Sequence, residues 1–303
     1  MTDTQTNSNS TTKADWTSDQ EVRWCPGCGD FGVRRALEQA LKNYVIETEV
    51  PVETNVVVAG IGCSGNMVHL LEGPQPYGFH GVHGRTLPIA MGVKMSRPEL
   101  NVVVTAGDGD FLGIGLEHVG PQAARNLNIT AVVMDNGVYG LTKGQSSPTT
   151  DIGTITSSTP YGKVESSINP LRLYLTMGVT YLASAMSSKV KDMAGLMLGA
   201  MMHPGFSIVH IQSPCTEYND TYELLKGNPS KGIAPVAWAV ADDHDSSSIE
   251  AAFNVASSGG IPMGLLYENS ERPTFDQQID NLGKKTKSRN IEELIGSYSI
   301  SDS

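Results

Sequence analysis

Four short apolar runs, each bounded by turn residues, recur along the chain. They lie at 55–60, 101–106, 129–134 and 206–211. An unbroken apolar run of this length is typical of a strand buried on both faces, as in a parallel sheet. The pattern therefore predicts at least four buried parallel strands.

Between these runs, apolar residues recur at three- and four-residue steps, which is the spacing of one helix face. The stretches concerned are 30–44, 85–96 and 186–202. Asp30 stands where the N-cap of the first helix is expected, and the methionines of the third are typical of core packing. Alternating strands and helices predict an α/β fold with a mostly parallel sheet flanked by helices. Ligands of such sheets bind at the carboxyl ends of the strands.

The pattern also divides the chain of 303 residues into segments. Residues 1–16 and 281–303 are polar and are expected to be tails, the first of them disordered. Residues 17–232 carry the alternating pattern, and 233–280 form a less regular extension that packs on the domain or on a partner. Within the extension, 260–267 is expected to be extended.

Composition and charge exclude several classes of protein. Lys plus Arg total 21 against 32 Asp plus Glu, which gives a net charge of −11 and argues against nucleic-acid binding. Hydrophobic residues make up 39% of the chain, so disorder of the whole chain is excluded. No apolar run reaches the ~18 residues that span a bilayer, and the start does not resemble a secretory signal. A cytoplasmic protein without a membrane partner is expected.

Two polar motifs follow predicted strands directly. GlyAspGlyAsp occupies 107–110, and AspAsnGlyValTyrGly occupies 135–140. At one edge of a sheet they would bring together the carboxylate of Asp108, the amide oxygen of Asn136 and a main-chain carbonyl of the following turn. Such hard oxygen ligands suit Mg²⁺, which usually arrives with phosphates. The alternative is a pair of ordinary turns, because Asp-Gly and Asn-Gly are common turn dipeptides.

The four cysteines are the second candidate site. Cys25 and Cys28 form a C-x-x-C pair, whereas Cys63 and Cys215 stand alone in tight turns after predicted strands. Four thiolates are the number that a [4Fe–4S] cluster needs. A zinc site and unligated thiols remain as alternatives, since the C-x-x-C motif alone does not distinguish them.

Three further segments are open to two interpretations each. Residues 60–65 match the dinucleotide fingerprint G-x-G-x-x-G, but no acidic residue follows where that fingerprint requires one. The basic stretch 80–85 precedes a predicted helix and suits either a diphosphate or a polar capping loop. Lys143 is either a contact for an anionic substrate group or a solvated side chain.

Taken together, these motifs resemble the beta subunits of the 2-oxoacid:ferredoxin oxidoreductases, from about residue 23 to 280. The GlyAspGly…AspAsn pair is similar to the thiamine diphosphate signature, with Asp135 in place of the usual first Asn. The segment LeuThrLysGlyGlnSerSerPro at 141–148 is more similar to the 2-oxoglutarate and broad-range branch than to the pyruvate-specific branch.

The resemblance implies a thiamine diphosphate-binding (diphosphate-domain) fold with a C-terminal extension, and it implies the residues of the site. Cys25, Cys28, Cys63 and Cys215 would hold one [4Fe–4S] cluster within 17–232. Asp108, Asn136 and the main-chain oxygen of Val138 would hold Mg²⁺. The expected contacts of thiamine diphosphate are Ile61, Gly62, Cys63, Ser64, His83, Gly109, Asp110, Gly140 and Leu141. Lys143 and Asn66 lie where substrate selectivity could be set.

The implied activity is the coenzyme A-dependent oxidative decarboxylation of a 2-oxo acid to acyl-CoA and CO₂. Electrons would pass through the [4Fe–4S] cluster to ferredoxin, and an alpha subunit would complete a heterodimer or a dimer of heterodimers. The alternatives are a pyruvate-specific beta subunit, a nonoxidative thiamine enzyme with structural zinc, and a nucleotide-binding regulatory module that uses residues 60–65.

Overall fold

The computed structural model describes residues 18–73, 77–285 and 290–298. Its main feature is an eight-stranded sheet with the order β2-β1-β3-β4-β8-β7-β10-β9, and β5 and β6 form a separate two-stranded ribbon. The strands are β1 (Asn55–Ala59), β2 (Tyr77–His80), β3 (Asn101–Gly107), β4 (Ile129–Asp135), β5 (Val138–Tyr139), β6 (Gln145–Ser146), β7 (Tyr181–Met186), β8 (Phe206–Gln212), β9 (Ala237–Ala239) and β10 (Ile261–Glu268). The predicted 1–16 tail lies outside the described residues.

The four predicted strands are confirmed as β1, β3, β4 and β8. Along the sheet, every neighbouring pair from β2 through β1, β3, β4 and β8 to β7 is parallel. In the pair of β4 and β8, the register runs from Ile129 opposite Phe206 to Asp135 opposite Gln212. These central strands are buried on both faces because helices cover each side, which is why they lack a polar alternation. Their carboxyl ends consequently lie along one edge of the sheet.

Three strands of the sheet, β2, β7 and β9, were not predicted, and one helix prediction began too early. β7 is buried throughout, yet its sequence TyrLeuAlaSerAlaMet has no β-branched residue to indicate a strand. The helix expected from residue 186 begins at Val190, because Met186 still belongs to β7.

Helices lie on both faces of the sheet. The longer ones are α1 (Asp30–Thr48), α3 (Thr86–Ser96), α5 (Pro170–Met177), α6 (Val190–Met202), α8 (Ile249–Ser257) and α9 (Phe275–Lys285). The short ones are α2 (Met67–Leu70), α4 (Val119–Arg125), α7 (Tyr222–Lys226) and α10 (Ile291–Gly296). α1 packs against α6 over one face of the sheet, and α3, α4, α5 and α8 cover the other. No described helix is both long and apolar enough to cross a bilayer.

The C-terminal extension continues the sheet. β10 pairs antiparallel with β7 and parallel with β9, so residues 237–268 extend the sheet at the edge away from β1. The segment expected to be extended at 260–267 is therefore β10. The predicted boundary between residues 280 and 281 falls inside α9, whose apolar positions hold a helix to Lys285.

Candidate active site

The loops that leave β1, β3 and β4 enclose a cavity of about 240 Å³ at the carboxyl edge of the sheet. All nine residues expected to contact thiamine diphosphate line it, together with all three expected magnesium ligands. Gly107, expected to let the backbone approach the phosphates, also lines it, and the sequence analysis gave the other lining residues no role at the cavity: Asp30, Met134, Tyr139 and Thr142. The two motifs expected to converge thus face one cavity.

Asp108 supplies the buried carboxylate of this cavity. Its side chain is 1% exposed, and no described ion pair involves it. Burial, reinforced by the nearby charge of Asp135, raises the pKa of Asp108 to about 7. A buried carboxylate without a positive partner is a favourable place for a cation, because the cation restores the charged form.

The turn after β4 presents the other two oxygen donors. The main-chain N–H of Val138 donates to Asn136 Oδ1 over 3.0 Å, and the N–H of Asn136 lies 3.5 Å from Asp108 Oδ1. An amide oxygen accepts two hydrogen bonds, so Asn136 Oδ1 retains one lone pair. The donor set of one carboxylate, one amide and one main-chain carbonyl fits Mg²⁺ chemically.

Asp110 ties two loops of the cavity together. Its Oδ1 accepts from the main-chain N–H of Gly84 over 2.7 Å and of Ile61 over 3.2 Å, and lies 2.8 Å from His83 Nδ1. Burial raises the pKa of Asp110 above its usual value, although these donors and His83 partly offset the rise. One carboxylate therefore fixes the loop after β1 and the basic stretch 80–85 beside the cavity.

Tyr139 covers the glycine that follows Asp108. Its hydroxyl donates to the main-chain oxygen of Gly109 over 3.2 Å. A Cβ on Gly109 would lie 2.2 Å from the tyrosine ring, so only glycine allows this contact. The ring thus forms part of the cavity wall.

The four thiols meet beside the same cavity. Cys63 Sγ and Cys215 Sγ lie 3.6 and 3.8 Å from the position of a Cβ on Gly140, so both flank this residue. Burial raises the pKa of Cys63 to about 11, and the charges of Asp30, Cys215 and Cys25 contribute. The pKa of Cys28 is raised for the same reasons, with Cys63 and Cys215 among its neighbours. The thiols are close enough to interact, and burial favours the neutral form of Cys28 and Cys63.

Two observations bear on whether a cluster fits these thiols. All four cysteines are free, and Cys25 is exposed while Cys215 is buried. Within the described ranges, no three His, Cys, Asp or Glu side chains stand in an arrangement that could hold a metal ion. The thiols are therefore near one another without being arranged around one point, and the [4Fe–4S] assignment stays a prediction.

Asp30 does not cap α1, contrary to the sequence prediction. Gly29 is the N-cap residue, and Asp30 begins the helix with its side chain buried against Ser213, whose hydroxyl donates over 2.7 Å. Burial raises the pKa of Asp30 to about 6. In the sequence, only the closeness of Asp30 to Cys28 indicates that this carboxyl lies beside the thiols. The same position also fits the N-cap of a helix.

The two expected substrate residues lie outside the cavity lining. Lys143 is exposed, with a positive φ of 82° on the turn between β5 and β6. Asn66 lines a separate surface pocket with His69 and His80. Their proposed role in selectivity stays a prediction.

Comparisons with known proteins agree with this geometry. Residues 60–211 match the thiamine pyrophosphate enzyme C-terminal TPP-binding domain, and 237–284 match the C-terminal part of the pyruvate ferredoxin oxidoreductase beta subunit. The first match contains both cavity motifs. The second matches the segment that extends the sheet.

Whole-chain relatives carry related names. The chain is 36% identical over 263 residues to the 2-oxoacid:ferredoxin oxidoreductase subunit beta of Saccharolobus solfataricus, covering 84% of this chain and 85% of that one. It is 41% identical over 213 residues to the 2-oxoglutarate oxidoreductase subunit KorB of Mycobacterium tuberculosis, covering 70% and 55%. The 2-oxoglutarate:ferredoxin oxidoreductase of Magnetococcus marinus, solved with 2-oxoglutarate, coenzyme A and succinyl-CoA bound, superposes with a TM-score of 0.83 at 36% identity and 97% coverage of both chains.

Proposed function

The chain belongs to the beta subunits of the 2-oxoacid:ferredoxin oxidoreductases, and from that premise we propose that it serves a 2-oxoglutarate-oxidising enzyme. The reaction would convert 2-oxoglutarate, with coenzyme A, to succinyl-CoA and CO₂. The observation that carries the proposal is the convergence of the oxygen donors on one cavity that Cys63 also lines, with Cys215 beside it at Gly140. The 2-oxoglutarate preference is supported by the names of KorB relatives and by the ligands of the Magnetococcus marinus enzyme.

Thiamine diphosphate supplies the electron sink that makes decarboxylation of a 2-oxo acid possible. Asp108, Asn136 and the carbonyl of Val138 would hold Mg²⁺, which in turn neutralises the diphosphate. His83 and the loop of Ile61–Ser64, both held by Asp110, would contact the bound cofactor. Tyr139 would exclude water from the floor of the cavity.

Cys25, Cys28, Cys63 and Cys215 would ligate a [4Fe–4S] cluster, from which electrons leave for ferredoxin. Cys63 lines the cofactor cavity and lies with Cys215 beside Gly140, so the electron path from cofactor to cluster would be short. Cys25 is the exposed member of the set and marks the side from which an external acceptor would approach. Free thiols throughout are consistent with a cytoplasmic location.

An alpha subunit would complete the site. Ile61 and Leu141 line the cavity yet are 37% and 51% exposed. Among the described strands, β2 is the last at one side of the sheet, and its Tyr77 and Phe79 are exposed. Apolar groups and an open strand edge of this kind are features of surfaces that a partner covers.

The test is co-purification with the alpha subunit, followed by cofactor analysis and dye-reduction assays. We expect thiamine diphosphate, magnesium, about four irons per chain by the cluster stoichiometry, and coenzyme A-dependent dye reduction with 2-oxoglutarate. Faster reduction with pyruvate would favour the pyruvate-specific alternative. Zinc without iron would favour the nonoxidative enzyme, and NAD binding without thiamine would favour the nucleotide-binding module.

A further inference from the structure

Thr149 stands between two buried carboxylates. Its hydroxyl lies 2.7 Å from Asp108 Oδ2 and 2.8 Å from Asp135 Oδ1. Both aspartates are buried. A hydroxyl has a single proton, so it donates to one carboxylate at a time and bridges the two.

Asp135 is itself held on its other side. Its Oδ2 lies 3.0 Å from His210 Nε2, and the hydroxyl of Tyr174 lies 3.3 Å from His210 Nδ1. Asp135 Oδ1 also accepts from the main-chain N–H of Gly137 over 3.0 Å. The carboxylate is thus fixed from β8 and α5, and it fixes the turn that follows β4.

That turn carries the other proposed magnesium ligands. Asn219 Nδ2 donates to the main-chain oxygen of Asn136 over 2.9 Å, and the hydroxyl of Thr150 donates to the main-chain oxygen of Gly137. The two arms of the donor set, Asp108 after β3 and the turn after β4, are therefore joined side chain to side chain through Thr149.

We propose that Thr149 is a positioning residue for the metal site. Its hydroxyl would set the separation between the Asp108 carboxylate and the Asn136–Val138 turn. Without that hydroxyl, the two buried carboxylates would lose the side chain that contacts both of them, and their repulsion would move them apart. This inference rests on the proposed magnesium ligands, and it adds a residue that does not touch the metal.

The experiment measures metal binding rather than turnover. Mn²⁺ replaces Mg²⁺, and its free concentration is followed by electron paramagnetic resonance in the alpha–beta complex with thiamine diphosphate present. Thr149→Val removes the hydroxyl at nearly constant shape, Thr149→Ala removes it with less bulk, and Thr149→Ser restores it. Thr130→Val is the matched control, because the buried Thr130 donates to Ala200 in the core, away from the cavity.

Partners that orient a metal ligand typically contribute about 10–100-fold in metal affinity. We expect Thr149→Val and Thr149→Ala to weaken Mn²⁺ binding about 10-fold or more, and Thr149→Ser to stay within about 3-fold of the parent. Cluster absorbance should be unchanged in all three. Unaltered binding in Thr149→Val, equal weakening in Thr130→Val, or failure of Thr149→Ser to restore affinity would each overturn the proposal.

Asp108→Asn separates this proposal from the one on which it rests. If that variant loses Mn²⁺ while Thr149→Val retains it, only the role of Thr149 is wrong. If Asp108→Asn also retains Mn²⁺, the magnesium ligands themselves are wrong and both proposals fall.

Discussion

The two halves of the candidate site differ in how far the folded chain prepares them. On the oxygen side, Asp108 is buried, and hydrogen bonds through Thr149 and Asp135 join it to the turn of the half-buried Asn136. On the sulfur side, Cys25 is exposed, and the described side chains include no group of three that could hold a metal ion. The proposed oxygen donors would thus be held in place before Mg²⁺ binds, whereas the thiols would depend on a cluster to bring them together.

The largest expected effect comes from removing one thiol. Cys28→Ala should abolish the broad visible absorbance of the cluster, because three remaining thiolates leave one iron without its protein ligand. Absorbance and iron content of the alpha–beta complex measure the loss. Thr216→Val is the control, since Thr216 contacts the same loop through Pro26 without a sulfur. Full iron content in Cys28→Ala would contradict the ligand assignment and with it the contrast between the two halves.

Removing the buried carboxylate is the next largest perturbation. Asp108→Asn should weaken retention of thiamine diphosphate by about 100-fold, because loss of a ligand charge costs at least as much as loss of its supporting partner. Equilibrium dialysis of the complex at fixed Mg²⁺ measures it. Asp192→Asn, at an exposed acid in the first turn of α6, is the charge-matched control. Parent-like retention in Asp108→Asn would show that the oxygen side is not the diphosphate anchor.

Sequence reasoning predicted the candidate oxygen and sulfur ligands but not the groups that contact them. Asp108 and Cys63 follow valine-rich strands, whose buried position is evident from composition alone. Thr149 and His210 come from distant segments, and only the three-dimensional fold brings them to Asp135. β7 was missed for a related reason, since its small residues are set by packing rather than by strand propensity.

A third perturbation tests the contact between Gly109 and Tyr139 in the cavity wall. Gly109→Ala places a methyl group 2.2 Å from the ring of Tyr139, which must then move. We expect a loss of about 1–3 kcal/mol in the free energy of unfolding, as for other overpacked sites, and weaker cofactor binding. Denaturant unfolding measures the first. Gly92→Ala is the control, because a Cβ there meets nothing within 4 Å. Equal stability of both variants would mean that Tyr139 is not held against Gly109.

The smallest expected effect is a pH dependence of the metal-free chain. Burial raises the pKa of Asp108 to about 7, well above its unfolded value of ~3.9. A group with a raised folded pKa stabilises the fold fully below its unfolded pKa, and that contribution is lost as pH rises through the folded pKa. The metal-free protein should therefore lose on the order of 1–3 kcal/mol of stability between pH 5 and 8 through this group.

The contribution of Asp108 is isolated as the difference between the parent and Asp108→Asn, measured by denaturant unfolding at each pH. The difference is needed because His203 also makes stability depend on pH. Burial lowers the pKa of His203, so this residue destabilises the fold as pH falls below about 6.5, whereas Asp108 destabilises it as pH rises. Mg²⁺ with thiamine diphosphate should remove the pH-dependent contribution of Asp108 to stability, since the cation favours the ionised carboxylate that burial disfavours. If the difference in the free energy of unfolding does not change from pH 5 to 8 without metal, burial does not destabilise the ionised form of Asp108, and a bound cation has nothing to offset. The oxygen side and the thiols would then differ only in geometry.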